Sequence, residues 1–131
     1  MELSFKSVKR LSETEFELDL TYVFTTTFKI PADLMKKYEE ICRREKFTKS
    51  DLLRAWITSF LALTPAEQDV IIKTYSKIEL KDRKIFGIRL VDEVLEELDG
   101  IAKRNNVSRS DVIRSIMVFK IERYERSGGF D

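Results

Sequence analysis

Apolar positions follow two periods along this chain, and the same succession of periods occurs twice. Phe86, Ile88 and Leu90 alternate with Ile85, Gly87 and Arg89, the period of two expected of a strand with one buried face. Val94, Leu98, Ile101 and Ala102 then stand at i, i+4, i+7 and i+8, on one side of a helix. A second helix is predicted to open at Ser108-Arg109-Ser110-Asp111, where a hydroxyl N-cap is followed three residues later by an acid. Its stripe continues through Ile113, Ile116, Met117 and Ile121. A shift of sixty positions lays Thr25 to Leu61 on Ile85 to Ile121 without a gap. Leu34, Tyr38, Ile41 and Cys42 then match the first helical stripe, Thr48-Lys49-Ser50-Asp51 the cap, and Leu53, Trp56, Ile57, Phe60 and Leu61 the second stripe. Five residues are identical across the shift: Ile41/Ile101, Arg44/Arg104, Ser50/Ser110, Asp51/Asp111 and Arg54/Arg114. Four of them bracket the same turn and helix start, so an internal duplication is expected. Phe47 and Val107, just before the caps, are placed to staple onto Leu52 and Val112.

Outside the repeats the pattern is simpler. Phe16, Leu18, Leu20, Tyr22 and Phe24 alternate with mostly polar neighbours, and Leu3, Phe5 and Val8 precede the polar Ser12-Glu13-Thr14, which reads as a β-hairpin leading into the first repeat strand. That strand, Thr25 to Ile30, turns Thr26, Phe28 and Ile30 inward and Thr25, Thr27 and Lys29 outward. Pro31 ends it and suits the start of a helix from Ala32 to Glu45. Thr64-Pro65-Ala66-Glu67 is a further helix start, opening a connecting helix through about Ile78 that packs by Val70, Ile71, Tyr75 and Ile78. The expected organisation is a hairpin extension at 1–23, repeat 1 at 24–63, connecting helix and linker at 64–83, repeat 2 at 84–126 and a flexible tail at 127–131.

A lone strand followed by two amphipathic helices cannot close its own core, because the strand's backbone groups have no ladder partner. Each unit needs a second copy. The strand Phe86-Gly87-Ile88-Arg89-Leu90, the helix Val94-Leu95-Glu96-Glu97-Leu98 and the turn into Val107-Ser108-Arg109-Ser110 resemble the ribbon-helix-helix family, the MetJ/Arc type of DNA-binding protein. The plan is most similar to small archaeal and archaeal-virus regulators. Members of that family form a two-stranded ribbon by homodimerising. The resemblance therefore implies a mainly α fold with a short antiparallel β-ribbon, in which two ribbon-helix-helix repeats are fused in one chain as an intramolecular pseudo-dimer, with the hairpin and connecting helix added.

Composition narrows the function classes. The chain has 131 residues, 43% of them hydrophobic and 36% charged, and nothing in it reads as a signal peptide or a membrane-length apolar run; a cytoplasmic protein with no membrane partner is expected. The single cysteine, Cys42, lies on an apolar helix stripe, and no histidine is present to activate a thiol. Without a glycine-rich phosphate loop, a cysteine cluster or an evident carboxylate pair, neither an enzyme nor a bound cofactor or metal is expected. Net charge is only +1, but residues 24–63 carry eight basic and five acidic groups, against three and five in residues 1–23 and nine and eight in residues 84–126. The excess of base thus sits in the first repeat.

The resemblance also assigns candidate contacts to double-stranded DNA. Outward side chains of the paired strands, carried over by position, are Thr25, Thr27 and Lys29 from one strand and Ile85, Gly87 and Arg89 from the other. Lysine and arginine suit guanine O6 and N7, threonine can donate, accept or touch a thymine methyl, and isoleucine makes apolar contact only. Gly87 has no side chain to read with, and exposed threonines are in any case good strand formers. The helix starts Thr48-Lys49-Ser50 and Ser108-Arg109-Ser110 are the candidate phosphate clamps, since unpaired N–H groups and the helix dipole favour anions there; their hydroxyls cap the helices whether or not DNA is bound. The expected function is sequence-specific transcription regulation, with repressor and activator both open and further association of whole chains as a homodimer or higher oligomer also open. The alternative is a protein-interaction module, such as an antitoxin that also binds its own operator, although the tail is short for that.

Overall fold

The strand that could not stand alone finds its partner within the chain. In the computed structural model, which describes the backbone of residues 2–10 and 16–128 and the side chains of residues 22–128, the element order is β1 (Glu2–Arg10), β2 (Phe16–Pro31), α1 (Ala32–Glu45), α2 (Lys49–Leu61), α3 (Pro65–Tyr75), β3 (Arg83–Val91), α4 (Asp92–Arg104) and α5 (Arg109–Ser127). The strands form one antiparallel sheet in the order β1-β2-β3. β1 pairs with β2 only as far as Val23, with a bulge between Phe5 and Ser7, and β3 pairs with it from Val23 to Pro31. Hairpin and ribbon are therefore one uninterrupted sixteen-residue strand, β2, rather than two strands in series. The turn expected at Ser12-Glu13-Thr14 lies outside the described residues.

Local chemistry accounts for the helix ends. Pro31 precedes α1 at φ −57°, and the freed first N–H of that helix, on Ala32, donates to the Asp82 carbonyl at 2.9 Å, so a helix start is closed by the residue just before β3. Thr48 and Ser108 accept from the backbone N–H of Asp51 and Asp111. Thr64 and Glu67 form a full capping box with Pro65 behind it. Lys46 and Asn106 take the left-handed conformation in the turns between helices, at φ 60° and 55°. Gly128 closes α5 at φ 75°, the position where glycine carries no Cβ penalty.

One core joins all of these elements. The inward faces of the ribbon meet as a stacked pair, Phe28 and Phe86, with ring centroids 5.3 Å apart. Tyr38 stands edge-on to Phe86 and to Trp56, and its hydroxyl donates to the Lys49 carbonyl at the start of α2. Burial pushes its phenol well above the ordinary range, so it stays a neutral donor. Ile113, Ile116 and Met117 of α5 are fully enclosed, and α5 packs against each of the other helices and β2. Met35, Leu95, Val112 and Tyr124 join this core beside the stripe positions read from sequence, while Leu34 and Val94 are only partly buried against it.

Two expectations are corrected at the edges of the strand-helix-helix units. The connecting helix stops at Tyr75, not near Ile78, and its buried face is Gln68, Ile71 and Ile72; Val70 is 63% exposed. Gln68 turns inward because its amide serves carbonyls at and just past the end of α2, at 3.1 Å to Phe60 and 3.3 Å to Leu63, a polar role that a hydrophobic stripe does not reveal. The α5 helix runs through Ser127, so the expected tail is helical at its first residue, and residues 129–131 lie outside those described. Phe47, just before the α2 cap, is 43% exposed.

Pairing within one chain makes folding of the ribbon unimolecular. The melting temperature and the far-ultraviolet sheet signal should therefore hold constant over about a hundredfold dilution into the nanomolar range. A signal that falls with dilution would mean that β2 and β3 pair between chains instead.

Candidate nucleic-acid interface

The side of the ribbon away from the Phe28–Phe86 stack carries the six outward residues as three facing pairs: Thr25 with Arg89, Thr27 with Gly87, and Lys29 with Ile85. All six are exposed, Ile85 to 72%. The middle pair, Thr27 and Gly87, is also a pair of equivalent positions at the sixty-residue offset. The register is thus one in which a two-fold axis passes between them and relates the two strands. A Cβ on Gly87 would meet the Thr27 and Thr25 methyl groups at 3.5 and 3.9 Å, which is ordinary contact. The glycine is therefore not demanded by space.

The two helix starts lie beside this face, but their cations are held differently. Lys49 is exposed and approaches Glu39 at 3.6 Å, with both side chains about half exposed. Arg109 makes a two-pronged contact with Asp99, Nε to Oδ1 and Nη2 to Oδ2 both at 2.6 Å, and a third bond from Nη1 to the Thr26 hydroxyl at 3.3 Å. Glu39 and Asp99 occupy equivalent positions, so each repeat sets an acid of its first helix against the cation that opens its second. Hydrogen bonds from Arg109 hold the Asp99 carboxyl below the usual aspartate range, and the same contact raises the guanidinium. Thr48 is exposed, Ser50, Ser108 and Ser110 range from half-buried to exposed, and a cleft of about 250 Å³ lined by Thr27, Lys29, Ile85, Ser110 and Arg114 joins the ribbon face to the start of α5.

Two residues at this face were not assigned a role from sequence. Arg54 donates from Nε to the Arg89 carbonyl at 3.0 Å, and Arg114 donates from Nη1 to the Lys29 carbonyl at 2.9 Å. Each is braced by the acid three residues before it, Asp51 at 3.3 Å and Asp111 at 2.5 Å. Burial works against the Asp111 charge, yet bonds from the Ser108 backbone and from Arg114 bring its carboxyl below the ordinary range. Their signal in the sequence was the pair of identities Arg54/Arg114 and Asp51/Asp111, which periodicity alone could not interpret.

Among the described residues no group of three or more histidine, cysteine, aspartate or glutamate side chains is placed to hold a metal ion, and no helix is long and apolar enough to cross a membrane. Cys42 is buried, and burial raises its thiol above the ordinary range.

Residues 84–124 match the family model described as ribbon-helix-helix protein, copG family, a family that is in general a DNA-binding transcription-regulator fold. The matched span covers β3, α4 and α5 up to Tyr124. No curated protein and no solved structure matches the chain.

The Arg109 contact has a definite pH signature. A carboxyl whose folded value lies below its unfolded one, roughly 4 for aspartate, contributes stability that is present above the unfolded value and is lost as pH falls through the folded one. Asp99→Asn should accordingly melt below wild type at pH 7, and the gap should close as pH falls below the ordinary aspartate range. A gap that persists unchanged into acid would show that the Asp99 charge does not hold Arg109.

Proposed function

We propose that this protein is a sequence-specific double-stranded DNA-binding transcription regulator, in which the two strand-helix-helix units act as a fused pair and the β2/β3 ribbon enters the major groove. The observation that carries the reading is the ribbon register. It presents six exposed side-chain positions as three facing pairs about the Thr27–Gly87 centre, on the same β3-α4-α5 segment that matches the family model and its partner strand. A two-stranded ribbon fits the major groove, where each base pair shows a distinct pattern of donors and acceptors. Lys29 and Arg89 are the candidate readers of guanine, Thr25 and Thr27 make shorter polar or methyl contacts, Ile85 is apolar, and Gly87 leaves the centre of one strand bare.

Phosphate contact falls to the two helix starts, with the N–H groups behind Thr48 and Ser108 offering the same dipole and donors. The side chains beside them are unequal. Lys49 is loosely paired and free to turn to a phosphate. Arg109 is already committed to Asp99 and Thr26, so on this reading it braces α5 against β2 and α4 more than it binds DNA. Lys49→Ala should weaken binding to all sequences about equally and lower the slope of log affinity against log salt by roughly one unit or less. Arg109→Ala should change that slope less and lower the melting temperature more. Equal slopes for the two variants would assign both cations to phosphates and reject the division of labour.

The unequal strands also bear on the site. A ribbon of two identical strands matches a two-fold symmetric box, whereas Thr25, Thr27 and Lys29 opposite Ile85, Gly87 and Arg89 favour an asymmetric one. Palindromy in a full operator then requires two chains on inverted boxes. Selection from random double-stranded DNA tests this directly. Wild type should recover an asymmetric box, and the triple change Ile85→Thr, Gly87→Thr and Arg89→Lys, for which a side chain at Gly87 has room, should recover a more symmetric one. A perfect palindrome bound by a single wild-type chain would remove these six residues from the reading role.

A further inference from the structure

We propose that Arg54 and Arg114 are positioning residues for base reading, each fixing the reader carried by the opposite repeat; the assignment rests on the reading of DNA by the ribbon proposed above. The need for such residues follows from the sheet. A two-stranded ribbon has two free edges, and here β3 is an edge strand while β1 covers β2 only to Val23. At the Lys29 and Arg89 carbonyls, side-chain donors therefore stand where a third strand would, and such donors keep the ribbon from twisting or slipping.

Arg114 and Arg54 are those donors, at 2.9 and 3.0 Å. The acceptors are the main-chain carbonyls of Lys29 and Arg89, the two long cationic side chains on the reading face. Both contacts cross between repeats, since Arg54 of α2 holds β3 and Arg114 of α5 holds β2.

Each bond is the end of a longer chain. On one side, the Ser108 backbone N–H donates to Asp111 at 3.0 Å, Asp111 takes Arg114 at 2.5 Å, and Arg114 donates to the Lys29 carbonyl. On the other, Thr48 accepts from the Asp51 backbone, Asp51 holds Arg54, and Arg54 donates to the Arg89 carbonyl. The helix start that faces phosphate is thereby tied to the backbone of the side chain that faces a base, so register set by the phosphate contact is carried to the reader. The two ties differ in stiffness. The Arg114 side chain is 9% exposed and that of Arg54 41%, which makes the Lys29 end the better fixed.

The role is separable from a merely structural one because it crosses the repeats and is local in the DNA. Selection from random double-stranded DNA with Arg89→Ala identifies the base pairs read by Arg89, and Lys29→Ala those read by Lys29. Arg54→Ala should relax preference at the Arg89 base pairs by about tenfold while leaving the Lys29 base pairs as in wild type, and Arg54→Lys, with one ammonium for two acceptors, should fall between. Arg114→Met should give the converse pattern; because Arg114 is buried that variant is checked first for a cooperative melt, and the exposed Arg54 decides the matter if it does not fold. A uniform loss of affinity at every position, or unchanged preference in Arg54→Ala, would overturn the positioning role while leaving the ribbon as reader. A wild type that selects no box at all would overturn the DNA reading itself, a result distinct from either.

Discussion

Everything in this fold depends on a backbone requirement. A single strand that ends in two amphipathic helices exposes a row of donors and acceptors that nothing in its own unit can satisfy, and the chain meets the requirement by bringing β3 back along β2. Once the two pair antiparallel, the period of two fixes what each face contains, and a slip of one residue would exchange core and surface. The stack of Phe28 on Phe86, with Tyr38 against its edge, selects the register in which Thr27 faces Gly87. Helix packing, the outward row and the positions of both helix starts are consequences of that choice.

Within this frame the two strand-helix-helix units share some interactions and differ in others. Asp51-Arg54 and Asp111-Arg114 make the same link on both sides, reaching from a helix start to the facing strand. Arg44 and Arg104 are equally identical in sequence yet differ in use. Arg104 binds Asp69 and Gln68 of α3, while Arg44 lies over the Tyr124 ring at 5.8 Å. The difference follows from α3, which follows the second helix of the first unit and ties itself to the end of α4. The cations at the two helix starts differ as well, a bidentate arginine on one side and a loosely held lysine on the other. Identity at equivalent positions thus marks shared function only where the surroundings are also shared.

The elements and their order were legible because their signals are local. Caps and a proline at a helix start gave α1, α2 and α5 their places to within a residue or so, alternation over six residues gave β3 its place to within two, and a shift of sixty positions gave the ribbon its partner. What could not be read depends on neighbours distant in sequence. Val70, expected to pack, is exposed, and Gln68 turns inward instead, where its amide donates to carbonyls at and just past the end of α2. Nothing in the stretch Ser108-Arg109-Ser110 tells that Asp99, on the preceding helix, captures the arginine. Arg54 and Arg114 were visible as identities, but the strand each one holds belongs to the other repeat.

Charge placement bears on how such a surface would discriminate. With a net charge of +1, the molecule as a whole offers DNA almost no long-range attraction, so on the proposed reading affinity has to be assembled locally, at the helix starts and along the ribbon. Glu39 and Asp99 stand at the same position beneath both helix starts and lower the positive potential there. Phosphates are common to every sequence, and a weak phosphate term keeps non-specific binding weak. Discrimination depends on the difference between specific and non-specific binding rather than on either alone. On the proposed reading, acids set against the cations at the helix starts, beside an exposed ribbon face, enlarge that difference in a nearly neutral protein: they withdraw energy from contacts every site can make and leave untouched the contacts only the right site can make.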